Sequence, residues 1–126
     1  MEFTPGHVIW TELMTQDPKA AAAYYAKTAG WKIEEVDIGM GPYHVAHAGE
    51  APVAGIMGMP EGMEDVPPYW LSYIGVTDVD AVAAEAVEMG ATLIQAPFDV
   101  PGVGRMVILN DPLGAQIAYM TPSEAM

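Results

Sequence analysis

The chain has 126 residues, of which 52% are hydrophobic, 17 acidic, 4 basic and none cysteine, giving a formal net charge of −13. That length and apolar content suit a single domain over residues 1–126 with a real core, while the charge excludes binding to nucleic-acid phosphates or to an anionic membrane surface. Without cysteine there are no disulfides, no thiolate catalysis and no Cys-based zinc site, and with no run of about 18 apolar residues and no basic-then-apolar amino terminus, a cytoplasmic protein is expected.

In chain order, Val8 to Met14 reads as a strand that runs into a helix start. Asp17 can cap, Pro18 suits the first helical position, and Ala20 to Ala23 propagate a helix to about Ala29. Gly30 closes it, and Trp31 to Ile38 alternates as a strand. Gly39, Gly41 and Pro42 form a turn before a third strand, Tyr43 to Ala48. After a turn at Gly49 to Pro52 comes a fourth strand, Val53 to Met59, weakened by Gly55 and Gly58. Pro60 to Pro68 lacks apolar periodicity and reads as a linker.

The pattern then restarts. Trp70 to Val76 is a strand, Asp78 caps a helix whose Val79, Val82, Ala86 and Met89 recur at helical spacing, and Gly90 ends it. Thr92 to Ala96 is a strand, Pro97 to Gly104 a loop, and Arg105 to Leu109 with Gln116 to Met120 a closing hairpin around Asn110, Asp111, Pro112 and Gly114. An offset of 61 lays Asp17 on Asp78 and Ile33 on Ile94, so the chain is read as two β-α-β-β-β modules, about 6–60 and 69–121, joined by a linker at 61–68.

Asp17-Pro18-Lys19-Ala20 through Tyr25 followed by Gly30-Trp31, and Gly104-Arg105 with Asp111-Pro112-Leu113-Gly114-Ala115, carry a resemblance. The chain resembles the vicinal oxygen chelate superfamily of glyoxalases, bleomycin-resistance proteins and extradiol dioxygenases. The resemblance implies an α+β fold in which two βαβββ modules form curved mixed sheets around a cleft, with helices on the outer faces. It also implies a divalent metal held by His and Glu on the first and last strands of each module. Aligned on the capping Asp residues and the Asp-Pro turn, those positions are Trp10, Met57, Leu71 and Ala118, none of them a hard-metal ligand. The expectation is therefore no metal cofactor, with a divalent-metal lyase, isomerase or dioxygenase as the alternative. His44 and His47 sit three apart on a strand and point to opposite faces, and with His7 they are expected to be surface or hydrogen-bonded structural residues.

Strand alternation defines a different pocket. If Trp10 faces the cleft, so do Val8, Glu12 and Met14; Leu71 brings Tyr73 and Gly75, and Ala118 brings Gln116 and Met120. Ile9, Leu13, Ile74, Val76, Ile117 and Tyr119 then pack under the helices. Such a lining, apolar with a few polar groups, suits a small organic ligand, bound by Trp10, Glu12, Met14, Met57, Leu71, Tyr73, Gln116, Ala118 and Met120, with ordinary core packing as the alternative role of Trp10, Met14, Met57 and Met120. A carboxylate in an apolar strand costs several kcal/mol if buried alone, so Glu12 is either paired structurally, with Arg105 as the candidate, or at a wet edge, or functional. As an enzyme the chain would use Glu12 as general base with Tyr73 or Arg105 polarising an oxygen. The apolar fourth strand, taken as an open edge, together with the pairing habit of the superfamily, predicts a homodimer.

Overall fold

The structure, a computed structural model, describes residues 2–39 and 41–123. Its elements run β1 (Val8–Thr15), α1 (Pro18–Thr28), β2 (Lys32–Asp37), β3 (Pro42–Ala48), β4 (Ala51–Gly58), β5 (Tyr69–Gly75), α2 (Val79–Glu88), β6 (Thr92–Val100), β7 (Gly104–Asn110) and β8 (Gln116–Pro122). This is the expected α+β chain of two βαβββ modules. No helix among the described residues is long and apolar enough to cross a membrane. The chain divides into two compact units, one spanning Thr11–Trp70 and the other formed by residues up to Trp10 together with those from Leu71 onward.

In the Thr11–Trp70 unit the strand order is β2-β3-β4-β1. The two hairpin pairings are antiparallel, and β1 joins β4 in parallel, Glu12 opposite Gly55 and Met14 opposite Met57. Asp17 caps α1 through its carboxylate, which accepts from the Ala20 amide at 3.1 Å, and Pro18 follows at the first helical position, where a missing N–H costs nothing. The helix covers one face of the sheet by packing Ala22 on Leu13 and Ile56, with Ala21, Tyr25 and Ile33 around them.

The second unit repeats the plan in the order β5-β8-β7-β6, with β5 and β8 parallel, Tyr73 opposite Ala118 and Gly75 opposite Met120. Asp78 caps α2 by accepting from the Ala81 amide at 3.1 Å. Under α2, Val79 and Ala83 pack on Val107, with Val76 and Tyr119 beside them, as alternation requires. Ala83 is buried on the inner face of the helix, whereas Met89, expected on that face, lies past the helix and is exposed. The closing turn is tied by Asp111, whose carboxylate accepts from the amides of Leu113 and Ala115 at 2.8 and 3.0 Å.

Two expectations are corrected. The sixth strand does not stop at Ala96 but continues through Pro97 to Val100, because β6 is at the end of the strand order and register shifts between Leu93 and Phe98 absorb the missing proline donor. The fourth strand is not an edge: β4 lies between β3 and β1, which removes the edge argument for a homodimer. Pro60 to Pro68 carries no helix or strand, and the Gln16 side-chain amide ties it to its own unit by donating to the carbonyls of Glu64 and Val66 at 3.2 and 2.7 Å.

Candidate functional site

Within the Thr11–Trp70 unit, alternation along β1 sends Leu13 toward α1 and leaves Glu12 and Met14 on the opposite face. Glu12 is fully buried there, one of two buried polar or charged side chains among the described residues. One of its partners lies two strands away. The Tyr43 hydroxyl on β3 donates to Glu12 Oε2, crossing β4 on the diagonal, since Tyr43 is in register with Met57 while Glu12 is in register with Gly55.

Gly55 makes that crossing possible. A Cβ at this position would lie 1.8 Å from the Tyr43 hydroxyl oxygen and 2.4 Å from its ring carbon Cζ. Its φ is not in the left-handed region, so this glycine is needed for room and not for backbone conformation. Around the pair the same face carries Met14, Met57 and Val45, all buried. The result is a carboxylate oriented by a phenol on an otherwise apolar sheet face. In such surroundings a hydrogen bond is stronger than in water, and a carboxylate can accept one from a ligand hydroxyl or take its proton.

The other expected site residues fall as follows. Leu71, Tyr73, Ala118 and Met120 are buried in the second unit together with Trp10, and Gln116 is half-buried. Tyr73, Ala118 and Ile108 form one row across β5, β8 and β7, on the face away from α2. Val8, placed in the same pattern, is instead exposed.

Arg105 is a correction. It alternates with Val107 onto the α2 side of the sheet, where Nε and Nη2 donate to Asp80 at 2.8 and 3.1 Å and Nη1 donates to Asp99 at 3.1 Å. The two carboxylates raise its pKa further above the ordinary arginine range, and Arg105 in turn holds the Asp80 carboxyl below its usual range. Arg105 therefore clamps α2 to β6 and β7. Within its own unit it occupies the opposite face of the sheet from Tyr73, so these two side chains do not share a face.

The metal positions read differently in register. Ala118 faces Tyr73 across β5 and β8, whereas Met57 faces Met14 across β1 and β4, so the counterpart of Ala118 in the first module is Gly55 and not Met57. Glycine is no better a ligand. The residues present do not fit a divalent metal: the aligned positions hold indole, thioether and alkyl groups, and no three His, Cys, Asp or Glu side chains gather among the described residues. His44 is buried on the α1 side, in register with Ile56 and 4.0 Å from the Glu35 carboxylate, a structural placement; His47 lies beyond a register shift, opposite Lys32.

Sequence reasoning singled out Glu12 as a candidate and did not anticipate its contact with Tyr43 over Gly55. The available signal was Gly55 itself, a glycine inside an apolar strand, which marks a close approach by another group.

The family described as Glyoxalase/Bleomycin resistance protein/Dioxygenase superfamily matches residues 5–119. Among characterised sequences, "Putative glyoxylase CFP32" of Mycobacterium tuberculosis is 40% identical over 119 residues, covering 94% of this chain and 45% of that protein. "Anthracycline biosynthesis protein DnrV" of Streptomyces peucetius is 30% identical over 129 residues, covering 92% of this chain and 47% of that one. The chain thus spans under half the length of these relatives. In fold it is similar to a Streptomyces coelicolor methylmalonyl-CoA epimerase, with a TM-score of 0.70 at 14% identity over 95% of this chain and 99% of the other. A hypothetical protein of Bacillus halodurans aligns with a TM-score of 0.67 at 15% identity, over 96% and 97% of the two chains.

Proposed function

This chain belongs to the glyoxalase/bleomycin resistance protein/dioxygenase superfamily, and we propose that it binds a small, mostly apolar organic molecule through Glu12, without the divalent metal of the superfamily. The observation that carries this reading is the fully buried Glu12 carboxylate, held by Tyr43 on a face otherwise made of Met14, Val45 and Met57. A sheet that needed only stability would gain more from an apolar residue at that position, since desolvating a carboxylate costs several kcal/mol, on the order of what its partner returns. Buried ionisable groups of this kind concentrate at functional sites. The ligand class follows from the lining: rings or alkyl surface against the thioethers, and a hydroxyl to meet the carboxylate. The name of the Streptomyces peucetius relative, with its reference to anthracyclines, points the same way, to a hydroxylated polycyclic aromatic.

The test uses quinizarin, a hydroxyanthraquinone whose absorption reports hydrogen bonding at its phenols. Glu12→Gln keeps a carbonyl oxygen to accept from Tyr43, so stability should stay within about 1 kcal/mol of the parent. Quinizarin affinity should fall about tenfold or more, because a charge-assisted bond is replaced by a neutral one. Unchanged affinity would remove Glu12 from the site, and bound stoichiometric zinc, iron, nickel or manganese in the purified protein would restore the metal reading.

A further inference from the structure

We propose that Tyr43 is the positioning residue of Glu12, and that Gly55 is the slot that specifies it. The proposal rests on the reading of Glu12 as the ligand-binding carboxylate. Tyr43 and Glu12 are fully buried, and the phenol reaches the carboxylate across a strand that lies between them. A side chain on the intervening strand would ordinarily block that path. Here the strand offers a bare glycine in register with Glu12, and the phenol oxygen occupies the volume that a Cβ would take, 1.8 Å away.

The second module shows what the same skeleton does without the device. In register, Tyr73 takes the place of Glu12, Ala118 that of Gly55, and Met106, opposite Met120, that of Tyr43 opposite Met57. A methyl closes the slot, and a thioether replaces the phenol donor. Glycine, tyrosine and carboxylate therefore occur together in one module and are all replaced in the other, as expected if the three act as one unit. A carboxylate free to rotate would meet a ligand hydroxyl in many geometries. Held at Oε2 by the phenol, it keeps one orientation, which lowers the ordering cost of binding.

The geometry also supplies a rescue. Because a Cβ at position 55 would sit beside the phenol oxygen, a serine there would place a hydroxyl close to where that oxygen now lies, once the tyrosine ring is removed. Quinizarin affinity is measured for Tyr43→Phe, Tyr43→Val, and Tyr43→Val combined with Gly55→Ser or with Gly55→Ala. Losing one hydrogen bond to a charged group should weaken binding about tenfold or more in both single variants. Adding Gly55→Ser should return affinity to within about threefold of the parent, well inside the value of one such bond, while Gly55→Ala should not. Equal rescue by alanine would mean that the effect is packing, and parental affinity in Tyr43→Phe would mean that the donor is irrelevant; either result overturns the proposal. Tyr43→Phe keeps the ring and covers the case in which Tyr43→Val does not fold. If the parent binds no quinizarin, the ligand reading fails in that arm, but the positioning claim is still read in the free protein. With 13C-labelled glutamate, the Glu12 carboxylate infrared band, located by difference against Glu12→Gln, should move in Tyr43→Phe, and an unmoved band overturns the proposal.

Discussion

The two units are built to one plan and differ at the centre of the sheet face that the helix leaves uncovered. In the Thr11–Trp70 unit that face carries Glu12, Gly55 and Tyr43; in the other, the same register positions carry Tyr73, Ala118 and Met106. The helix-covered faces are alike, each with a small helix residue, Ala22 or Ala83, packed against a β-branched strand residue, Ile56 or Val107. The buried carboxylate is therefore not a requirement of the fold. The second module makes the same strands, the same parallel closure and the same helix packing without one.

The sharpest way to break this comparison is to exchange the slot residues. Gly55→Ala drives a methyl into the Tyr43 phenol and disrupts the bond to Glu12, and it should cost about 3 kcal/mol or more in urea denaturation, combining overpacking with a disturbed buried polar pair. Ala118→Gly, the matched change in the second module, removes one methyl and adds backbone freedom within a strand, for about 1–2 kcal/mol. Equal costs would mean that Gly55 is ordinary strand filler.

The helix caps should behave alike. Asp17→Ala and Asp78→Ala each strand one amide, at Ala20 or Ala81, and each should cost about 1 kcal/mol in thermal or urea melts. A marked difference between them would show that the two helices contribute unequally to the cooperative unit.

The smallest effect belongs to the Arg105 clamp, which has no parallel in the first module, where the repeat places Lys19 at the position of Asp80. Arg105 lowers the Asp80 pKa, so the interaction is fully present above the unfolded-state carboxylate pKa of about 3.9 and is lost as pH falls through the lower folded value. Asp80→Asn should reduce the melting temperature slightly at neutral pH and low salt. The difference from the parent should shrink with added salt and disappear in acid. A difference that persists at the lowest pH would assign the effect to packing.

The fold was largely legible because its signals are local. Asp17-Pro18 and Asp78 announce the helices, Gly30 and Gly90 end them, and the alternation around Leu13 and Tyr119 sorts the faces. The β1–β4 and β5–β8 register was not legible, because the shifts in β6, which β2 lacks, move the offset from 61 at the helices to 63 at β7 and β8 (106 − 43 = 63, 118 − 55 = 63). A constant offset taken from the helices therefore slips by the time it reaches the last strands, and Met57 was matched to Ala118 in place of Gly55. The site suffered for the same reason. Glu12 could be singled out by its own chemistry, but its partner Tyr43 is 31 residues away across an intervening strand, and Arg105 looked available only because basic residues are scarce.

The strand orders also fix which backbones are left with unpaired hydrogen-bonding groups, and the two outermost strands guard against recruitment by other chains in different ways. β6 is spoiled as a template by its register shifts and by Pro97, which offers no donor. β2 has neither device; its pairing with β3 is regular over its whole length, and its protection is the charge of Lys32, Glu34, Glu35 and Asp37. Three of those four charges are carboxylates. Replacing them by amides would leave a regular strand with Ile33 and Val36 and little to repel a second copy, so resistance to aggregation rests on side-chain charge in β2 and on covalent geometry in β6.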